Sequence, residues 1–167
     1  MSFGKKQIAG IFLALCVALS DQWSKQAILE LFPAERMWKP VTSFFNLVLV
    51  YNHGISFGLF NKAPTQTQPF IFMGIALVIS LILFIWLLRT HRAMIATAIG
   101  MIIGGAIGNS IDRIQHGAVI DFLDVYATIN AIPYHWPAFN VADSAVVGGV
   151  ALLFIHSLAF DKKTVQK

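Results

Sequence analysis

The stretch Phe70-Ile-Phe-Met-Gly-Ile-Ala-Leu-Val-Ile-Ser-Leu-Ile-Leu-Phe-Ile-Trp-Leu-Leu88 carries no charged side chain. At 1.5 Å of rise per residue it makes a helix of about 29 Å, close to the thickness of a bilayer's hydrocarbon core. Working outward, three more apolar stretches reach spanning length, at about 7–29, 94–111 and 142–160. The first is apolar to Leu19 and then admits Asp21 and Lys25. The third places Gly100, Gly104 and Gly108 four residues apart, a tandem GxxxG register that lets helix backbones approach closely. Composition agrees: 57% of the 167 residues are hydrophobic and 12% charged, with a mean hydropathy of +0.70. Soluble chains average about 25% charged residues, and a soluble domain this short could not cover so much apolar surface. The expectation is one integral-membrane domain over 1–167, mostly α, built on a four-helix bundle.

Cations set the orientation. Lys5, Lys6, Arg89, Arg92, Lys162, Lys163 and Lys167 crowd the short loops and ends of one side. Arg36, Lys39, Lys62 and Arg113 are spread thinly over the other. By the positive-inside rule both termini are cytoplasmic. The segments at about 30–69 and 112–141 are then extracytoplasmic. A net charge of +4 clustered at span ends fits membrane topology and excludes nucleic acid as a partner. The single cysteine, Cys16, lies in an apolar run, so there is no disulfide framework. Lys5-Lys6 with Ala18-Leu19-Ser20 looks like a cleavable leader, but three further spans follow and the first is expected to be retained. Leu13-Ala14-Leu15-Cys16 is a poor lipobox, because a leucine precedes the cysteine.

The outer segments carry their own structure. Residues 41–51 are β-branched and aromatic and predict a strand. After a turn at Asn52-His53-Gly54, alternation of Ile55, Phe57 and Leu59 with Ser56, Gly58 and Phe60 predicts a second. Tyr126, Tyr134, Trp136 and Phe139 suit an interfacial aromatic belt.

Of the eight acidic residues, Glu30, Glu35 and Asp161 sit in polar loops or tails. Asp21, Asp112, Asp121, Asp124 and Asp143 gather at span ends on the outer side. An ionisable group at membrane depth is costly, so it is paired or functional. Asn140 is placed to cap the fourth span, with Asp143 in its first turn, where the helix dipole favours a carboxylate. Asn109, Asp112 and Arg113 share a helical face, and Asp112 beside Arg113 reads first as a structural ion pair. Asp121 or Asp124 could fold back towards Asp143, and periodicity does not choose between them.

Two carboxylates that meet cannot both ionise, so they share a proton. One then takes a proton from water while the other donates to a peptide carbonyl. This chemistry uses no metal and no cofactor, and the scattered histidines form no ligand motif. A competing G-x-S-x-G at Gly54-Ile55-Ser56-Phe57-Gly58 lacks the strand-to-helix setting of a nucleophile elbow. Its candidate base, His156, falls at the opposite end of a span. An ion carrier built on Asp21, Lys25, Asp112 and Arg113 would want charges spread across the membrane, whereas these cluster at one face.

Five motifs occur in order: Asp21-Gln22-Trp23-Ser24-Lys25, Tyr51-Asn52-His53-Gly54, Gly108-Asn109-Ser110-Ile111-Asp112-Arg113, Val119-Ile120-Asp121-Phe122 and Phe139-Asn140-Val141-Ala142-Asp143. Together they resemble the lipoprotein signal peptidase (signal peptidase II) family over about residues 5–160. The resemblance implies a bacterial inner-membrane aspartic endopeptidase with four transmembrane helices, a small extracytoplasmic β-cradle and a short interfacial helix. It implies cleavage of diacylglyceryl-prolipoproteins just before the lipidated cysteine, contact with membrane lipids and inhibition by globomycin-type peptides. A monomer is expected. The family's catalytic pair falls on Asp121 and Asp143. Its polar site positions fall on Asn52, Gly54, Asn109, Arg113 and Asn140. Asp21 and Lys25 look supportive, and Asp112 is expected to orient Arg113 or its neighbours. His53, Gly54, Ile55 and Ser56 depart from the threonine and small residues usual after the motif's asparagine, which bears on the cradle's contacts and not on the chemistry.

Overall fold

The computed structural model describes residues 4–34, 37–54 and 67–161. Among them are four helices, α1 (Lys5–Leu31), α2 (Gln68–Arg89), α3 (Ala93–His116) and α4 (Val141–Asp161). Four strands accompany them, β1 (Trp38–Thr42), β2 (Phe45–Asn52), β3 (Val119–Ile129) and β4 (Ile132–His135). All four helices are long and apolar enough to cross a membrane. The strands form one antiparallel sheet in the order β1-β2-β3-β4.

α3 is the centre of the bundle and packs on the other three helices. Its small residues make this possible. A Cβ on Gly104 would lie 2.6 Å from the Ala14 carbonyl oxygen of α1, so any larger residue would push the two helices apart. α2, by contrast, leaves Phe70, Ile71, Ile75, Val78 and Ile82 exposed. In water such a face would be a liability; against acyl chains it is the expected surface. Pro69 enters α2 in its first turn, where its missing N–H costs nothing.

α3 continues five residues beyond the expected span end at 111, to His116, and carries Asp112 and Arg113 on the helical face expected of them with Asn109. Its first two residues face protein: Asp112 and Arg113 are buried, as is Asn109 on the same face, while Ile114, Gln115 and His116 are exposed. Gly117, with φ of 68°, then ends the helix in the left-handed conformation that only glycine adopts cheaply, and β3 begins two residues later.

The strand expected at 41–51 is two strands, β1 and β2, joined by a turn at Ser43 and Phe44. The second expected strand, from Ile55 to Phe60, falls outside the described residues, as does the G-x-S-x-G serine, Ser56. The short interfacial helix is likewise not among the described residues. β3 and β4 close as a two-residue hairpin through Asn130 and Ala131, both at positive φ. Leu49, Ile120 and Phe122 pack on Ile28 and Phe32, which seats the sheet on the end of α1. After β4 the chain returns along β3. The Phe139 carbonyl accepts the Leu123 amide at 2.8 Å and the Phe122 amide at 3.0 Å. This bridge delivers Asn140 and the start of α4 to the neighbourhood of Asp121.

Candidate active site

Asp121 stands on β3, fully buried, opposite Val50 of β2. Its two oxygens are held separately. Asn52 Nδ2 donates to Oδ2 at 2.9 Å, and Asn140 Nδ2 donates to Oδ1 at 2.8 Å. Asp143 lies in the first turn of α4, where the unpaired amides of a helix start favour negative charge. Asn109 Nδ2 donates to its Oδ1 at 2.9 Å. Asn140 is the N-cap, its Oδ1 accepting the Asp143 amide at 2.8 Å. The two aspartates are thus joined through two amides, because Asn140 Nδ2 also lies 3.2 Å from Asn109 Oδ1.

Burial pushes the Asp121 carboxyl up from 3.8 to about 7, and the negative charge of Asp143 adds to the rise. The amides of Asn52 and Asn140 and the charge of Lys25 pull the other way. Asp121 therefore holds its proton to near neutrality.

Behind the aspartates lies a buried ionic cluster. Lys25 Nζ sits 2.7 Å from Asp21 Oδ2 and 2.6 Å from Asp112 Oδ2. The expected partner of Asp112 was Arg113, but Asp112 pairs with Lys25. The Arg113 side chain turns elsewhere, donating to the carbonyls of Asn109 at 3.0 Å and Gly54 at 3.3 Å. Gly54 in turn donates its N–H to Asn52 Oδ1 at 3.0 Å. All ten candidate site residues meet in this one network. Gln22 joins it as well, donating to Asp112 Oδ1 at 2.8 Å. Its signal in the sequence was its place beside Asp21 in a polar patch of an otherwise apolar span.

Asp124 is elsewhere. It accepts from Asn46 Nδ2 at 2.8 Å and faces His135 Nδ1 at 2.8 Å, with Tyr126 stacked on His135. Asn46 and His135 were not singled out in the sequence.

Two cavities border Asp143. One, of about 360 Å³, runs between α2, α3 and α4; Phe72, Ile75, Ile79 and Val146 wall it, and Asn109 and Arg113 face it beside Asp143. The other, of about 230 Å³, is lined by Trp136, Phe139, Ser144 and Val147. A carboxylate pair with one member bordering an apolar groove can activate water against a bond presented by a lipid-soluble substrate.

Comparison with known proteins supports that chemistry. The family model described as signal peptidase (SPase) II matches residues 13–159. A lipoprotein signal peptidase of Cupriavidus pinatubonensis is 44% identical over 147 residues, covering 87% of this chain and 80% of its own. That of Alteromonas mediterranea is 40% identical over 159 residues, covering 93% and 84%. That of Rhodopseudomonas palustris is 43% identical over 152 residues, covering 89% and 91%. Among solved structures, a bacterial membrane enzyme determined by the in meso method at 2.3 Å matches with a TM-score of 0.77 and 30% identity, covering 95% of this chain and 91% of that one. A second, at 1.9 Å, matches with a TM-score of 0.73 and 29% identity, covering 90% and 92%. With four membrane-spanning helices, a small antiparallel sheet and these relatives, the chain is a multi-pass membrane protease that belongs to the signal peptidase II family.

Proposed function

We propose that this protein removes signal peptides from diacylglyceryl-modified prolipoproteins, cleaving just before the lipidated cysteine, with Asp121 and Asp143 as the catalytic pair. One observation carries the assignment: the amides of Asn140 and Asn109 join the two buried aspartates, and Asp143 borders an apolar groove. Asp121 carries the pair's proton at rest, as its burial and the nearby charge favour. Asp143 takes a proton from a water as its oxygen attacks the scissile carbonyl. Asp121 gives its proton to the carbonyl oxygen. The tetrahedral intermediate collapses as the amine of cysteine takes the proton from Asp143 and Asp121 takes a proton back from a hydroxyl of the gem-diol, which leaves the pair with one proton.

The substrate is itself a membrane segment bearing acyl chains. The groove walled by Phe72, Ile75, Ile79 and Val146 suits those chains. The unwound peptide around the scissile bond needs hydrogen-bond partners that lipid lacks. Asn52, Asn109, Asn140 and Arg113 supply them. The clustering of lysine and arginine supports cytoplasmic termini and an active site near the outer face of the bacterial inner membrane. A globomycin-type peptide, cyclic and lipophilic, is expected to occupy the same groove, and the enzyme to act as a monomer.

Incubation of the purified protein with lipidated and unlipidated precursor tests this reading. Cleavage of the lipidated form alone, at the bond preceding cysteine, is the expected result. Equal cleavage of both, or of neither, contradicts it.

A further inference from the structure

The buried cluster of Lys25, Asp21 and Asp112 lies behind the aspartate pair, and its bonds lead to both members. Asp21 Oδ1 accepts the backbone amide of Ala142 at 2.9 Å, the residue immediately before Asp143. Asp112 Oδ2 accepts the backbone amide of Ile120 at 3.1 Å, the residue immediately before Asp121. Lys25 holds the two carboxylates through one ammonium, and its third hydrogen bond, at 3.0 Å, goes to Asn109 Oδ1. All three N–H groups of Lys25 are thereby used. The last contact also decides which way the Asn109 amide points. Its oxygen must face the ammonium, so its nitrogen must face Asp143, as it does at 2.9 Å.

We infer that Lys25, Asp21 and Asp112 are positioning residues: a spacer on α1 and α3 that pins the backbone just ahead of each catalytic aspartate and so fixes the distance between their carboxyl groups. The inference rests on the assignment of Asp121 and Asp143 as the catalytic pair.

Stability alone is a weak reason for such a cluster. Lys25 is 2% exposed and Asp21 fully buried. The desolvation of buried ions offsets much of their attraction, and apolar groups of similar size often serve as well. What an apolar trio cannot do is accept two backbone amides that belong to different elements. Asp21 and Ala142 are 121 residues apart in sequence, so this bond sets the start of α4 against α1 directly. Gly108 leaves room for it: a Cβ there would lie 2.5 Å from Asp21 Oδ2.

Asp112 gives the decisive test. Asparagine at this position can keep its Oδ1 where Asp112 Oδ2 now accepts both Lys25 and the Ile120 amide, giving up only the bond from Gln22. Alanine keeps neither bond. In detergent, with a diacylglyceryl-precursor, Asp112→Ala is expected to lower kcat about a hundredfold, the scale of a misplacement near 1 Å, with KM within about threefold of wild type. Asp112→Asn is expected to retain kcat within about tenfold, because the acceptor and not the charge does the positioning. Equal losses in the two variants, or a loss carried in KM, overturn the inference. Should the alanine variant not fold, Asp112→Asn decides alone: folded protein with measurable kcat and unchanged KM supports the spacer, and folded protein without turnover overturns it. Asp121→Asn and Asp143→Asn run alongside. Wild-type turnover by either sinks the catalytic assignment itself, an outcome distinct from failure of the spacer.

Discussion

Asn140 donates to Asp121 Oδ1 at 2.8 Å while its own Oδ1 accepts the backbone amide of Asp143 at 2.8 Å, so one side chain caps α4 and touches both aspartates. The two duties can be separated. Serine is as good an N-cap as asparagine but has no amide to offer Asp121. Asn140→Ser is expected to unfold close to wild type yet turn over at least about a hundredfold more slowly, and Asn140→Ala to add a stability loss of about 1 kcal/mol. Thermal unfolding and kcat on the same preparations check both.

The shared proton gives the enzyme an alkaline limit. Asp121 holds its proton up to about pH 7 because burial, and then the charge of Asp143, disfavour its ionised form. Above that value the pair loses its proton and with it the general acid. A pH profile of kcat/KM is expected to fall on the alkaline side with a midpoint near 7, about tenfold per unit beyond it.

Stability follows the same group with a definite sign. The folded-state value of Asp121 is raised above its ordinary 3.8, so the folded protein holds this proton more tightly than the unfolded chain does. Below about pH 4 both states are protonated and the group is neutral in effect. As pH climbs to 7 it increasingly destabilises the fold. Asp121→Asn, which cannot ionise, is expected to gain a few kcal/mol relative to wild type between pH 4 and pH 8, read by thermal unfolding across that range.

Asp124 offers the contrast. It anchors Asn46 and His135 on the sheet and makes no bond to Asp121, Asp143 or their amides. Asp124→Asn is expected to keep kcat within about fivefold while losing about 1–3 kcal/mol of stability, since an amide cannot accept from both donors.

Glycines on α2 and α3 separate lipid-facing from packed positions. A Cβ on Gly74 meets nothing within 4 Å, so Gly74→Ala is expected to be neutral or slightly stabilising. A Cβ on Gly108 lies 2.5 Å from Asp21 Oδ2, and Gly108→Ala is expected to cost about 1–3 kcal/mol and to depress kcat by moving Asp21. Unfolding midpoints of the pair decide.

The helices were legible because a lipid-spanning run leaves a strong mark: the bounds of α2 agree within two residues. The end of α3 was not, because the apolar run stops at Ile111 and the mostly polar residues to His116 carry no spanning mark, although Asn109, Asp112 and Arg113 show the spacing of one helical face. β3 is rich in β-branched residues from Val119 to Ile129, but Asp121 and Asp124 interrupt the alternation that marks a half-buried strand. Asp121 and Asp124 are three apart, so a strand sends them to opposite faces, yet nothing local says which face meets α4. Only the family resemblance separated them. Lys25 was recognised as supportive, while its bonds to Asp112 and Asn109 depend on contacts more than 80 residues away in sequence and had no local signal.

The central claim is that Asp121 and Asp143 act together on one water. Its most direct test is the single-turnover cleavage rate of folded Asp121→Asn and Asp143→Asn on a diacylglyceryl-prolipoprotein in detergent. Loss of detectable cleavage in each, with native unfolding behaviour, is the predicted result; wild-type-like cleavage by either variant contradicts the account.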